Sequence, residues 1–215
     1  MSTTKQPADY VDLKLARLFR YLAINIIGTY LLGAVFYADA FHFWEHAFSE
    51  LGTTITLLGT PNLTSSLIMT TGMFINGRLM LEIARIYRLD STQPHAQVKS
   101  GLMYIASLGA FISIFPNNLY HTLHSYGSAF SIGSIFFFDL ILLKEGLASQ
   151  KKSLFAFLIG LLSLSVFSYA IPYFLELPIK QATQKICIIN LLLVLIQGSP
   201  QPIQLASPLA THRPT

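Results

Sequence analysis

Long apolar runs, separated by short clusters of charge, constrain this chain more than any other feature. A helix needs about 20 apolar residues to cross the hydrocarbon of a bilayer. Six stretches approach that requirement, at about 18–38, 63–83, 101–116, 119–143, 154–175 and 182–196. The second is interrupted by Thr64, Ser65, Ser66, Thr70 and Thr71, and the sixth is the shortest in continuous apolar sequence. The runs are continuous rather than alternating, which selects helices over a barrel. Only 11% of the residues are charged, against roughly 25% in a soluble domain. The expected fold is therefore all-α: a polytopic transmembrane bundle of six helices.

Lys and Arg set the direction of such a bundle. Lys5, Lys14, Arg17 and Arg20 precede or begin the first run; Arg78, Arg85, Arg88 and Lys99 surround the second connection; Lys144, Lys151 and Lys152 occupy the fourth. The other side carries only Lys180 and Lys185, apart from the tail. This bias predicts both ends in the cytoplasm of a multi-pass membrane protein. It also accounts for the net charge of +4 without a nucleic-acid partner. The first run is long and lacks a small-residue cleavage site, so it reads as a span rather than a leader. The domain reading is a cytoplasmic segment over 1–14, a transmembrane domain over 15–197 and a disordered cytoplasmic tail over 198–215, rich in Pro, Ser, Gln and Thr. Cys187 has no partner for an internal disulfide.

The ionisable residues outside the basic loops fall in two groups. The first connection reads Asp39-Ala-Phe-His42-Phe-Trp-Glu45-His46-Ala-Phe-Ser49-Glu50-Leu-Gly52. Helical spacing would place positions 42, 45, 46 and 49 on one face, opposite Phe41, Trp44, Phe48 and Leu51, as in an amphipathic interface helix. The second group is Asn117, Asn118, His121 and His124. His121 and His124 share a face that continues through Gly127, Ser128 and Ser131, a stripe of small polar residues suited to close helix approach. Both groups belong to the outer side. They predict one outward polar pocket built from His42, Glu45, His46, Ser49, Glu50, Asn117, His121 and His124, because titratable groups at membrane depth turn toward an interior, a wet cavity or a partner.

Several readings of that pocket stand side by side. The groups cap helix ends and meet headgroups; or they bind a lipid headgroup or small ligand. In a third reading His42, His46 and His124 hold zinc for a metal-dependent intramembrane lipid hydrolase, by analogy with seven-helix ceramidase-type enzymes. No HExxH and no CxxC accompanies them. A bis-histidine haem would need His residues at matched depth on two helices, and those of the first connection lie near the surface. Elsewhere, Gly59-Thr-Pro61-Asn62 reads as a turn opening the second span, with Pro61 near its first position. Asn76 reads as bonded to a neighbouring helix or lining a pathway, and Pro172 and Pro178 bracket the outer end of the fifth span.

Ser49-Glu50-Leu51-Gly52, Gly59-Thr-Pro61-Asn62, Phe74-Ile-Asn76-Gly77, Phe115-Pro116, His124 and Gln184-Lys185, in that order along residues 15–197, resemble a six-helix family of bacterial and archaeal membrane proteins, the domain of unknown function DUF-nine-nine-eight. The family tends to have Gln-Arg where this chain has Gln184-Lys185. His42, His46 and His121 are not part of its pattern. The resemblance implies the six-span fold, a prokaryotic plasma membrane as the location, and no reaction.

Overall fold

The computed structural model describes residues 8–90, 93–146 and 152–197. Among the described residues the chain is all-helical, with six helices and no strand: α1 (Ala8–Val35), α2 (Leu63–Leu89), α3 (Ala96–Ile112), α4 (His121–Gly146), α5 (Lys152–Phe174) and α6 (Lys180–Gln197). Successive helices pack as neighbours. The rim end gathers the 36–62 connection, the 113–120 loop and the 175–179 turn between α5 and α6; the other helix termini lie at the basal end.

Three helices, Tyr10–Val35 within α1, His121–Gly146 and Lys152–Phe174, are long and apolar enough to cross a membrane. α5 buries only Leu162, Ser165 and Pro172, and leaves Phe157, Leu164 and Phe167 more than half exposed. An apolar surface of that extent is stable against lipid, not against water. α2 is long, but Arg78, Glu82, Arg85 and Arg88 interrupt it. α3 and α6 have 17 and 18 residues, about 25 and 27 Å at ~1.5 Å per residue.

Close approach at small residues holds the bundle together, as expected where lipid supplies no hydrophobic drive between helices. A Cβ on Gly109 would sit 2.5 Å from the Ser131 nitrogen and 2.6 Å from the Gly127 oxygen. α3 and α4 therefore cross backbone to backbone at Gly109 and Gly127. At Gly72 the neighbour is Thr29 of α1, and at Gly77 it is Phe111 of α3. Ser100 and Ser107 of α3 donate to the α2 carbonyls of Ala84 (2.8 Å) and Gly77 (2.7 Å). At the basal end Lys14 pairs with Glu82 (2.8 Å) and the buried Lys99 pairs with Glu145 (2.6 Å), tying α1 to α2 and α3 to α4. Lys99 is thus an internal ion-pair partner rather than only a loop charge.

The 36–62 connection departs from the expected interface helix. His42–His46 forms one isolated turn, with the Glu45 and His46 amides donating to the His42 carbonyl. Ala47 is extended, and a 3₁₀ turn spans Phe48–Gly52. Side chains have captured the amides a continuing helix would need: Glu50 Oε1 accepts from Ala47 N (3.0 Å) and Gln184 Oε1 of α6 accepts from Phe48 N (3.0 Å). The opening of α2 also differs from expectation. Asn62, not Pro61, immediately precedes the helix. Gly59 takes φ of 87°, the left-handed turn region glycine adopts without strain. Asn62 is buried; its Oδ1 accepts from Ala38 N (3.1 Å) and its Nδ2 donates to the Thr53 carbonyl (2.9 Å). The residues of 1–14 before Ala8 and the 198–215 tail lie outside the described residues.

Candidate functional site

A cavity of about 90 Å³ opens inside the bundle between α1, α2, α3, α4, α6 and the 3₁₀ turn. That is several times the space one water needs, ~10–15 Å³. α2 contributes Met69, Met73 and Met80 at helical spacing, flexible thioethers that adapt to irregular apolar ligands. α6 contributes Ile188, Leu191 and Leu192. α4 turns His124, Ser128, Ser131 and Ile135 toward it, a face of one helix with steps of three and four residues. Ser113 and Gln184 add further polar groups near the rim, and Thr70 and Asn76 lie deeper on α2. No Asp, Glu, Lys or Arg lines this cavity.

His124 is the titratable group nearest the rim end of this face. Its Nδ1 lies 2.9 Å from the Phe115 carbonyl. A carbonyl only accepts, so Nδ1 carries the hydrogen, and Nε2 of the neutral ring is left as an acceptor. Phe115 is positioned by the turn at Pro116, whose carbonyl accepts from Tyr120 N (2.9 Å). Asn76 both bonds a neighbour and lines the cavity: its Oδ1 accepts from Asn25 Nδ2 (2.8 Å), which also donates to the Gly72 carbonyl (3.0 Å).

A strap closes the rim side. Phe48 stacks on Tyr30 with centroids 4.1 Å apart and planes 7° from parallel. Lys185 of α6 is fully buried. Its ammonium donates to the carbonyls of His46 and Gln181 and lies 5.4 and 5.1 Å from the ring centroids of Phe43 and Phe48. Gln184 and Lys185 therefore hold the 43–48 segment against α6.

Of the eight residues expected to form one pocket, Ser49 and His124 line this cavity. His42 and Glu45 are exposed on the 42–46 turn. The His46 Nδ1 accepts from His42 N (3.2 Å). Glu50 caps the strap and borders a separate hollow with Tyr37, Thr53 and Asn118. Asn117 bonds His121, which is exposed (2.8 Å). Of the expected zinc donors, the His42 and His46 rings meet edge to face with centroids 5.7 Å apart, but among the described residues no three His, Cys, Asp or Glu side chains form a group that could hold a metal ion.

Two residues escaped sequence reasoning. Asp139 is the one Asp or Glu inside the fourth apolar run; it is fully buried, and neither carboxyl oxygen has a hydrogen-bond partner. Lys185, inside the sixth run, was counted only as one of the two basic residues of the outer side and as part of the Gln184-Lys185 motif. In both cases the signal was present, since a charge inside an apolar helix marks function or a buried partner. Compared with protein-family models, with curated proteins and with solved structures, the chain matches none of them.

Proposed function

We propose that this chain is a six-span membrane protein, its rim end outward and both termini cytoplasmic, that binds a small amphiphile with an uncharged, hydrogen-bonding head in the central cavity. The supporting observation is the cavity lining: neutral donors and acceptors at Ser49, Ser113, His124, Ser128 and Gln184, then an apolar floor, with no fixed charge among them. A phosphate or carboxylate head would enter without a counter-charge, at a desolvation cost of several kcal/mol. A hydroxyl or carbonyl head meets matching partners, and its hydroxyl can donate to His124 Nε2. An alkyl chain then lies along the α2 methionines and the α6 leucines. The outward direction rests on the basic residues gathered at the basal end, Lys14, Arg85, Arg88 and Lys144 among them.

The test uses purified protein in lipid nanodiscs and three probes of equal chain length: monooctanoylglycerol, octanoate and octylphosphocholine. Monooctanoylglycerol is expected to raise the thermal unfolding midpoint, the other two to raise it less, and Ser131→Phe to abolish the response. Equal responses to all three heads, or a response unchanged by Ser131→Phe, would sink the reading.

A further inference from the structure

On α4, positions 124, 128, 131 and 135 face the cavity, and 139 is the next position on that face, one helical turn past Ile135. Asp139 therefore lies just beyond the cavity's inner end, in the interior of a helix long and apolar enough to cross a membrane. It is 0% exposed, and both its oxygens lack a partner. It follows Phe138, whose ring meets Phe19 of α1 and Tyr87 of α2.

Among the described residues, the surrounding helices supply no free counter-charge. From α3, Lys99 is committed to Glu145. From α2, Glu82 is paired with Lys14 and Arg85 is exposed, while the buried Tyr87 hydroxyl has no partner. From α1, Arg17 and Arg20 are exposed, and on α4 itself Lys144 is exposed. α5 has no titratable side chain between Lys152 and Tyr169, and α6 has none between Cys187 and Gln197. A carboxylate enclosed in such surroundings is an uncompensated charge. The smallest group that neutralises it in place is a proton, since a metal cation would need several further oxygen ligands.

We propose that Asp139 is a proton-exchanging site inside the membrane, reached from the cavity when its apolar floor of Met80, Ile135 and Leu192 parts. The proton passes from the carboxyl O–H to water admitted through the cavity and leaves a carboxylate; reclosure follows when a proton returns. Occupancy of the cavity and proton binding at Asp139 are thereby coupled. Only the route rests on the cavity reading above; the proton site stands on the enclosure of Asp139 itself.

The experiment is infrared spectroscopy of the protein in lipid nanodiscs, with aspartate carboxyls carbon-13 labelled. A carboxylic-acid C=O band that moves with the label and is missing from Asp139→Asn is expected. It should shift on transfer to heavy water, be lost as pH rises, and exchange more slowly in Ser131→Phe. If Asp139→Asn does not fold, the isotope shift and the single buried environment assign the band in the wild type. No acid band at any pH, or a band indifferent to both pH and heavy water, would overturn the proposal. Exchange equally fast in Ser131→Phe would overturn the cavity as its route. A band that exchanges while no amphiphile binds would instead remove the ligand reading and leave the proton site in place.

Discussion

Lys185 shows how one side chain can organise a loop. Its aliphatic stem belongs to an apolar helix, yet its ammonium meets two carbonyls and two aromatic faces at the rim. Hydrogen bonds to a charged donor contribute about 1.5–3 kcal/mol, and removing a buried one strands the acceptors. Lys185→Met is therefore expected to destabilise the protein by roughly 2 kcal/mol and to free the 43–48 segment. Thermal unfolding in detergent checks the first effect, and faster limited proteolysis between Phe43 and Phe48 checks the second. Asn25→Leu is expected to act at a different place. It leaves Asn76 Oδ1 and the Gly72 carbonyl without their donor inside the bundle, a loss of about 1–3 kcal/mol readable in the same melts.

Among elements, the α3–α4 crossing brings backbone against backbone. A methyl group at Gly109 or Gly127 meets backbone within 3 Å, and backbone cannot rotate aside. Gly109→Ala and Gly127→Ala are expected to cost about 1–3 kcal/mol or more as overpacking. Gly133 of α4 and Gly160 of α5 have no neighbouring atom within 4 Å of the added methyl. There the helix preference for alanine is unopposed, worth roughly 0.5–1 kcal/mol in the stabilising direction. Comparing the four variants in one unfolding series gives opposite signs for the two pairs. A uniform loss would show that the crossing is not the determinant. The strap belongs to the same scale. Its residues have the spacing of an amphipathic helix, but Gln184 and Glu50 take the amides that would have continued one.

For the whole molecule, membrane direction is the testable property. With the rim outward, a cysteine at Ala47 is expected to react with an impermeant maleimide from outside intact cells, and one at Ala148 only after permeabilisation. The native Cys187 is fully buried and makes a quiet background. Labelling of position 148 but not 47 would invert the orientation and turn the cavity toward the cytoplasm.

The helical bundle was legible because apolar run length is a local property: each run must satisfy its own backbone wherever water is scarce. The observed helices overlap the expected spans, but α1 begins ten residues before the first span, inside the segment expected to precede the bundle, α2 ends six residues after the second, α3 ends four residues earlier than the third and α4 begins two residues later than the fourth. The small-residue stripe of α4 was legible for the same reason, since Gly127, Ser128 and Ser131 recur at helical spacing. The site was legible only in part. Ser49 and His124 reach the cavity while His42, Glu45 and His121 do not, because which face of a loop turns inward is set by partners distant in sequence, Gln184 and Lys185 above all. Asp139 was hidden by its neighbours, since the apolar residues on either side of it dominate any average over the run.

Local chemistry alone thus dictates helices, their approximate bounds and the bias of basic charge toward one end, because each depends on residues adjacent along the chain. Packing alone decides that five helices enclose a cavity without fixed charge, that Lys185 is an internal pin, and that Asp139 is sealed without a partner. Those facts depend on what other helices bring to the same depth, and no single segment carries that information.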